Sequence, residues 1–166
     1  MSRRLVTIAL EPIDVALVPL WYAAPSGVRK WIRVFLLHVA RWPGVQARAS
    51  ARSVRQAEAE GAYEALLLNE RGRLVEGSRS NVALVFPDGV VTPPKSEGCV
   101  PGTVRRRLIE KGALAEEPLS PEDLALASEV LLMNSLIGVL PVARINGREI
   151  PVGPAAARLR KVFENL

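Results

Sequence analysis

Apolar residues in this chain fall in short runs whose spacing changes from segment to segment. Two strand-like runs occupy 4–23, and Pro25 to Gly27 interrupt the pattern. From Val28 the apolar positions are Val28, Trp31, Ile32, Phe35, Val39 and Trp42, with Arg29, Lys30, Arg33 and Arg41 off the stripe. That spacing predicts an amphipathic helix over 28–42, closed by Pro43-Gly44. Residues 45–60, rich in Ala, Arg, Gln and Glu, predict a second, weakly amphipathic helix ending at Gly61.

Strand signals dominate afterwards. Residues 64–69 and 74–76 predict two strands around the turn Glu70-Arg71-Gly72. Residues 82–86 and 90–92 predict a hairpin across Pro87-Asp88-Gly89, and 93–101 a Pro/Gly-rich loop. A helix is expected over 103–111, stopped by Gly112. Ser120-Pro121-Glu122-Asp123 is a helix start, with Ser120 as N-cap and Asp123 in capping-box position. Residues 130–133 and 139–145 read as strands, Asn146-Gly147 as a hairpin turn, and Gly153-Pro154 as the lead into a last helix. The fold class is therefore mixed α/β (α+β) with several hairpins, rather than a simple parallel sheet.

Composition narrows this picture. The chain has 166 residues, about half of them apolar, which is enough for one ordinary core. Its net charge of +5 rests on arginines, but no aromatic-interleaved basic motif points to nucleic acid. The basic stripe of 28–42 is a candidate surface for an anionic membrane or a partner, though helix-on-sheet packing explains the same stripe. One cysteine, Cys99, excludes an internal disulfide and suits a reducing, cytoplasmic setting. One histidine, His38, without cysteine pairs, argues against a metal site. No apolar run reaches membrane-spanning length, and no leader-like cleavage pattern follows Met1.

The candidate chemistry lies between 74 and 141. Glu76 ends a predicted strand; Pro101-Gly102-Thr103-Val104 opens a helix; Asn134-Ser135 closes an apolar strand. Singly these are a rim carboxylate, a helix start and a turn. A helix start also presents unpaired N–H groups and a positive dipole end to an anion such as phosphate.

The order and spacing of the three resemble the C-terminal domain of pyridoxal-phosphate enzymes of fold type IV. That group includes class IV aminotransferases and aminodeoxychorismate lyase. The resemblance runs from about Glu58 to Gly147 through Gly61-Ala62-Tyr63-Glu64, Val75-Glu76-Gly77-Ser78-Arg79-Ser80-Asn81, Thr92-Pro93-Pro94, Val100-Pro101-Gly102-Thr103-Val104-Arg105 and Val130-Leu131-Leu132-Met133-Asn134-Ser135. It implies a D-amino-acid aminotransferase-like fold: a mixed sheet or partly open barrel with flanking helices. It implies pyridoxal 5′-phosphate as cofactor, an amino-acid-like substrate, either transamination or pyruvate-releasing elimination, and a homodimer. Glu76 would face the cofactor's ring nitrogen. The N–H groups of Thr103 and Val104, with the Ser135 hydroxyl, would hold its phosphate, and Asn134 would shape the turn. Relatives often carry Thr at the second helix position, where this chain has Val104.

The resemblance also implies a cofactor-bearing lysine, roughly twenty residues before the strand at Glu64. That position falls at Trp42, or at Gln46 with a short deletion, so no catalytic residue is assigned. The four lysines are Lys30, Lys95, Lys111 and Lys161, none at the expected place. Relatives also have a preceding domain of about a hundred residues, of which 1–27 would be the remnant and linker before a cofactor-binding domain at 28–166. The expectation is thus a family member impaired in catalysis, or a non-catalytic remnant that binds phosphate or cofactor. The departure at 28–50 would also follow from a shift of reading frame.

Overall fold

The computed structural model describes residues 33–38 and 55–164. Among the described residues, ten strands form two five-stranded sheets. The first has the order β10-β9-β1-β2-β3, the second β6-β5-β4-β7-β8. In the first, β1 (Arg33–His38) runs parallel to both β2 (Glu64–Leu68) and β9 (Arg144–Ile145). Parallel neighbours need a crossover, and its described part is one helical piece, α1 (55–59). The antiparallel strands β3 (Leu74–Gly77) and β10 (Arg148–Glu149) form the two edges.

The second sheet carries the central strands β4 (Asn81–Phe86) and β7 (Glu129–Asn134). Beside β4 lies β5 (Gly89–Thr92), then β6 (Ala115–Glu116); beside β7 lies β8 (Gly138–Val142). Helix α2 (Thr103–Glu110) makes the crossover from β5 to its parallel partner β6. A single turn, α3 (Asp123–Leu126), and the last helix, α4 (Ala155–Glu164), complete the chain.

Alternation along the strands explains the layers. Val82, Leu84, Val130, Leu132, Leu140 and Val142 face the first sheet and meet Leu66, Leu68 and Leu74 there. Their neighbours Ala83, Val85, Leu131, Met133 and Val139 face the other way, against Val104 and Leu108 of α2 and Leu159 of α4. Strands buried on both faces read as continuous apolar runs, which is why 82–86 and 130–133 show no polar alternation. The outer face of the first sheet buries Ala65 and Leu67 under Ala57 of α1. The chain passes between sheets twice, from β3 into β4 and, at Ala143, from β8 into β9.

Most expected elements hold. The 82–92 hairpin pairs Phe86 with Gly89. The 146–147 turn has positive φ at both residues, 48° and 80°, as a type I′ turn requires. The capping box forms only in part: the Ser120 N–H and Oγ–H donate to Asp123 Oδ2 at 2.7 and 2.9 Å, but the N-cap of the one-turn helix is Glu122, not the expected Ser120, and makes no side-chain cap bond. The strand expected over 139–145 is two strands in different sheets.

One expectation is overturned. The helix over 28–42 is contradicted at 33–38, which is the parallel strand β1. The four consecutive apolar residues Val34 to Leu37 suit a strand flanked by neighbours on both edges, and such a run carries no period of its own. The amphipathic surface proposed for that helix goes with it. The strands expected at 4–23, the domain division at 27/28 and the rest of 28–50 lie outside the described residues. The strands do not close into a barrel among the described residues, so the mixed-sheet form applies.

Candidate functional site

A bulge places Glu76. Leu68 pairs with Leu74, but Leu67 pairs with Glu76, so Val75 is the extra residue on β3. Without it, Glu76 would oppose Leu66 and point into the core between the sheets. With it, Glu76 shares the outer face with Leu67. Glu76 as a residue is only 6% exposed. The Val100 N–H donates to Glu76 Oε2 at 2.9 Å and Asn81 Nδ2 to the same oxygen at 3.3 Å. Among the described residues, Oε1 receives no donor.

Burial pushes the Glu76 carboxyl up to about 7. The Val100 N–H and the Arg105 guanidinium oppose that rise, and the charge of Glu64 adds to it. Glu64 lies beneath the turn after β3, and burial raises its own pKa. Its Oε1 accepts from the Arg79 N–H at 2.7 Å and the Ser80 hydroxyl at 2.9 Å. Gly77 is required at this point, because a Cβ there would stand 2.2 Å from that oxygen.

The loop that supplies Val100 is tied down from the other side. Asn69 Nδ2 donates to Glu97 Oε2 at 2.6 Å, and Arg71 pairs with the same oxygen at 2.7 Å. Arg105, 2% exposed, donates to the Pro93 carbonyl at 2.7 Å and pairs with Glu116.

The start of α2 follows directly. Its N-cap is Gly102, in extended conformation and with no side-chain cap. The Thr103 and Val104 N–H groups begin the helix and have no intrahelical acceptor. The Val104 side chain is fully buried against the second sheet, so this residue offers only its N–H. Thr103 is exposed.

Asn134 ends β7 and folds the next turn on itself: its Oδ1 accepts from the N–H groups of Leu136 and Ile137 at 2.8 and 2.9 Å. Its Nδ2 donates to the Arg79 carbonyl at 2.9 Å, which joins that turn to the 77–80 turn. Ser135 sits exposed on it.

Asn81, Glu64 and Arg105 lie within the family-like motifs, but nothing in their sequence context singles them out. Asn81 connects the parts: it bonds Glu76 and, at 2.8 Å, the Val100 carbonyl, while its Oδ1 lies against Gly102, where a Cβ would stand 2.2 Å away. Trp42, Gln46 and Lys30 lie outside the described residues. Lys95, Lys111 and Lys161 are exposed, on the loop before α2, at the end of α2 and on α4.

A buried carboxyl with one oxygen that receives no donor among the described residues can accept a hydrogen bond from a proton-bearing ring nitrogen. An uncapped helix start can accept a phosphate. The residues present therefore fit the two polar ends of pyridoxal phosphate.

The class IV aminotransferase family model matches residues 20–145. A putative branched-chain-amino-acid aminotransferase of Methanocaldococcus jannaschii is 33% identical over 119 residues, 67% of this chain and 41% of that protein. Aminodeoxychorismate lyase of Saccharomyces cerevisiae is 38% identical over 82 residues, 46% of this chain and 22% of that protein. Among solved structures, a branched-chain aminotransferase from the archaeon Thermoproteus uzoniensis, with norvaline, superimposes with a TM-score of 0.73 at 25% identity. The match covers 81% of this chain and 50% of that one. The chain thus spans less than half the length of either curated relative. The family match begins well upstream of Glu58, where the recognisable motifs start, and takes in β1. This chain belongs to the class IV aminotransferase family.

Proposed function

We propose that this chain holds pyridoxal 5′-phosphate in a class IV aminotransferase or aminodeoxychorismate lyase-like protein acting on an amino-acid-like substrate, and that catalysis is impaired in the chain as it stands. The observation that carries the cofactor reading is the bulge-turned Glu76 carboxyl, whose Oε1 receives no donor among the described residues, beside a helix start with no side-chain cap.

When bound, pyridoxal phosphate supplies an electron sink for bond-breaking next to an amino group. Each residue here has a definable part. Glu76, ionised by the contact, keeps a proton on the ring nitrogen and so keeps the sink effective. The Val100 N–H holds the carboxylate in place through Oε2. The Thr103 and Val104 N–H groups and the α2 dipole receive the phosphate. The Ser135 hydroxyl adds a donor from a turn that Asn134 keeps rigid.

The impairment reading rests on lysine. The covalent attachment and proton transfers of such enzymes need an amine at the reacting carbon. Positions 42 and 46 are Trp and Gln, and the three described lysines are exposed and lie on other elements.

The test is to add pyridoxal phosphate to the purified chain, reduce with borohydride to fix any lysine link, and map the product by mass spectrometry. The expected result is saturable binding that dialysis reverses, with no modified lysine. Stoichiometric labelling of Lys30 or Lys95 would overturn the impairment reading; absence of binding would overturn the cofactor reading.

A further inference from the structure

Asn81 is 5% exposed and sits between the two ends of the site. Its amide orientation is fixed by chemistry: Nδ2 faces two oxygens, Glu76 Oε2 at 3.3 Å and the Val100 carbonyl at 2.8 Å, so the amide oxygen must face the other way. That other way is Gly102, the N-cap of α2. One side chain therefore touches the carboxylate, the loop that presents it and the helix start.

We infer that Asn81 is a positioning residue that sets the spacing between the Glu76 carboxylate and the first turn of α2. It thereby makes the site selective for ligands carrying a protonatable ring nitrogen and a phosphate at fixed separation. The inference rests on the cofactor reading above. Three details support it. The contact with Gly102 leaves no room for a Cβ, so the helix start is held at the closest approach the backbone allows. The same amide bonds both Glu76 and the strand of loop leading to Gly102, so neither can shift without the other. Among the described residues no side-chain hydrogen bond caps α2, and the Asn81 amide is the side chain that lies against its N-cap residue.

Spacing matters only to a ligand that engages both ends. A two-ended ligand gains because its second contact is intramolecular, and it loses that gain when the spacing is wrong. The test measures calorimetric affinities for pyridoxal 5′-phosphate, pyridoxal and inorganic phosphate. The proteins are the full chain, Asn81→Ala and Gly102→Ala, each variant first shown to keep the far-ultraviolet spectrum of the parent. Gly102→Ala pushes the Asn81 amide away without deleting it. Both variants are expected to weaken pyridoxal 5′-phosphate by about tenfold or more, while each single-ended ligand changes by less than about threefold. Unchanged pyridoxal 5′-phosphate affinity in both variants would refute the inference. So would an equal loss for all three ligands, which marks a general structural role. If the parent chain binds no pyridoxal 5′-phosphate, the cofactor reading itself fails and the inference falls with it; that outcome is read before any variant is compared.

Discussion

Glu76 is the residue on which sequence and structure meet most closely, and its environment makes a stability prediction. The folded pKa, about 7, lies above the ordinary carboxylate value. Such a group favours the folded state when protonated. Its contribution is fully present below the unfolded pKa and is lost as pH rises through the folded value. Without ligand, the chain should therefore be more stable at pH 5 than at pH 8. Glu76→Gln should flatten that slope and raise stability at pH 8 by roughly 2–3 kcal/mol. Glu64, raised in the same direction, leaves a residual slope. Urea melts across pH 4.5–8 check this; a variant less stable than the parent at pH 8 would contradict it. The position of Glu76 in the motif was readable from the sequence. The direction of its side chain was not, because it depends on the single extra residue Val75, and nothing in Leu74-Val75-Glu76-Gly77 announces a bulge. Asn81 was equally opaque: its partners lie 5 and 19 residues away and meet only after two sheets are joined.

At the scale of elements, local rules succeeded where the signal was a turn or a cap and failed where it was a bare apolar run. Asn146-Gly147 forms as expected, and Ser120-Pro121-Glu122-Asp123 forms in part, with the Asp123 carboxylate bonded to Ser120 but the N-cap at Glu122. The 28–42 stripe does not. Trp31, Ile32, Phe35 and Val39 match a helical period, but Val34, Leu36 and Leu37 fill the gaps between them. A run apolar on every side fits a strand with neighbours on both edges as well as a helix, and the partners of β1 lie far along the chain. Carbon chemical shifts over 33–38 should therefore show extended backbone in solution. Helical shifts there would contradict the parallel β1–β2 and β1–β9 pairs. The 139–145 strand shows the same limit in milder form. Its apolar run is continuous, yet Ala143 marks the place where the chain leaves one sheet for the other.

For the whole molecule, the division of labour is plain. The core between the sheets, with α2 and α4 behind the second, holds three loops at one place: the turn after β3, the lead into α2 and the turn after β7. Family membership was legible because those loops carry their motifs in order. Positions 42 and 46, where the family resemblance implies a cofactor-bearing lysine, are Trp and Gln, and the chain spans less than half the length of either curated relative. Among the described residues no helix is long and apolar enough to cross a membrane.

The central claim is that Glu76 receives the ring nitrogen of pyridoxal phosphate. It is tested most directly by nitrogen NMR of the chain loaded with cofactor labelled at that nitrogen. The account predicts a bound signal at the protonated position that persists above pH 8 and reverts toward the unprotonated position in Glu76→Gln. A bound signal at the unprotonated position in the parent chain, or one indifferent to the substitution, would contradict it.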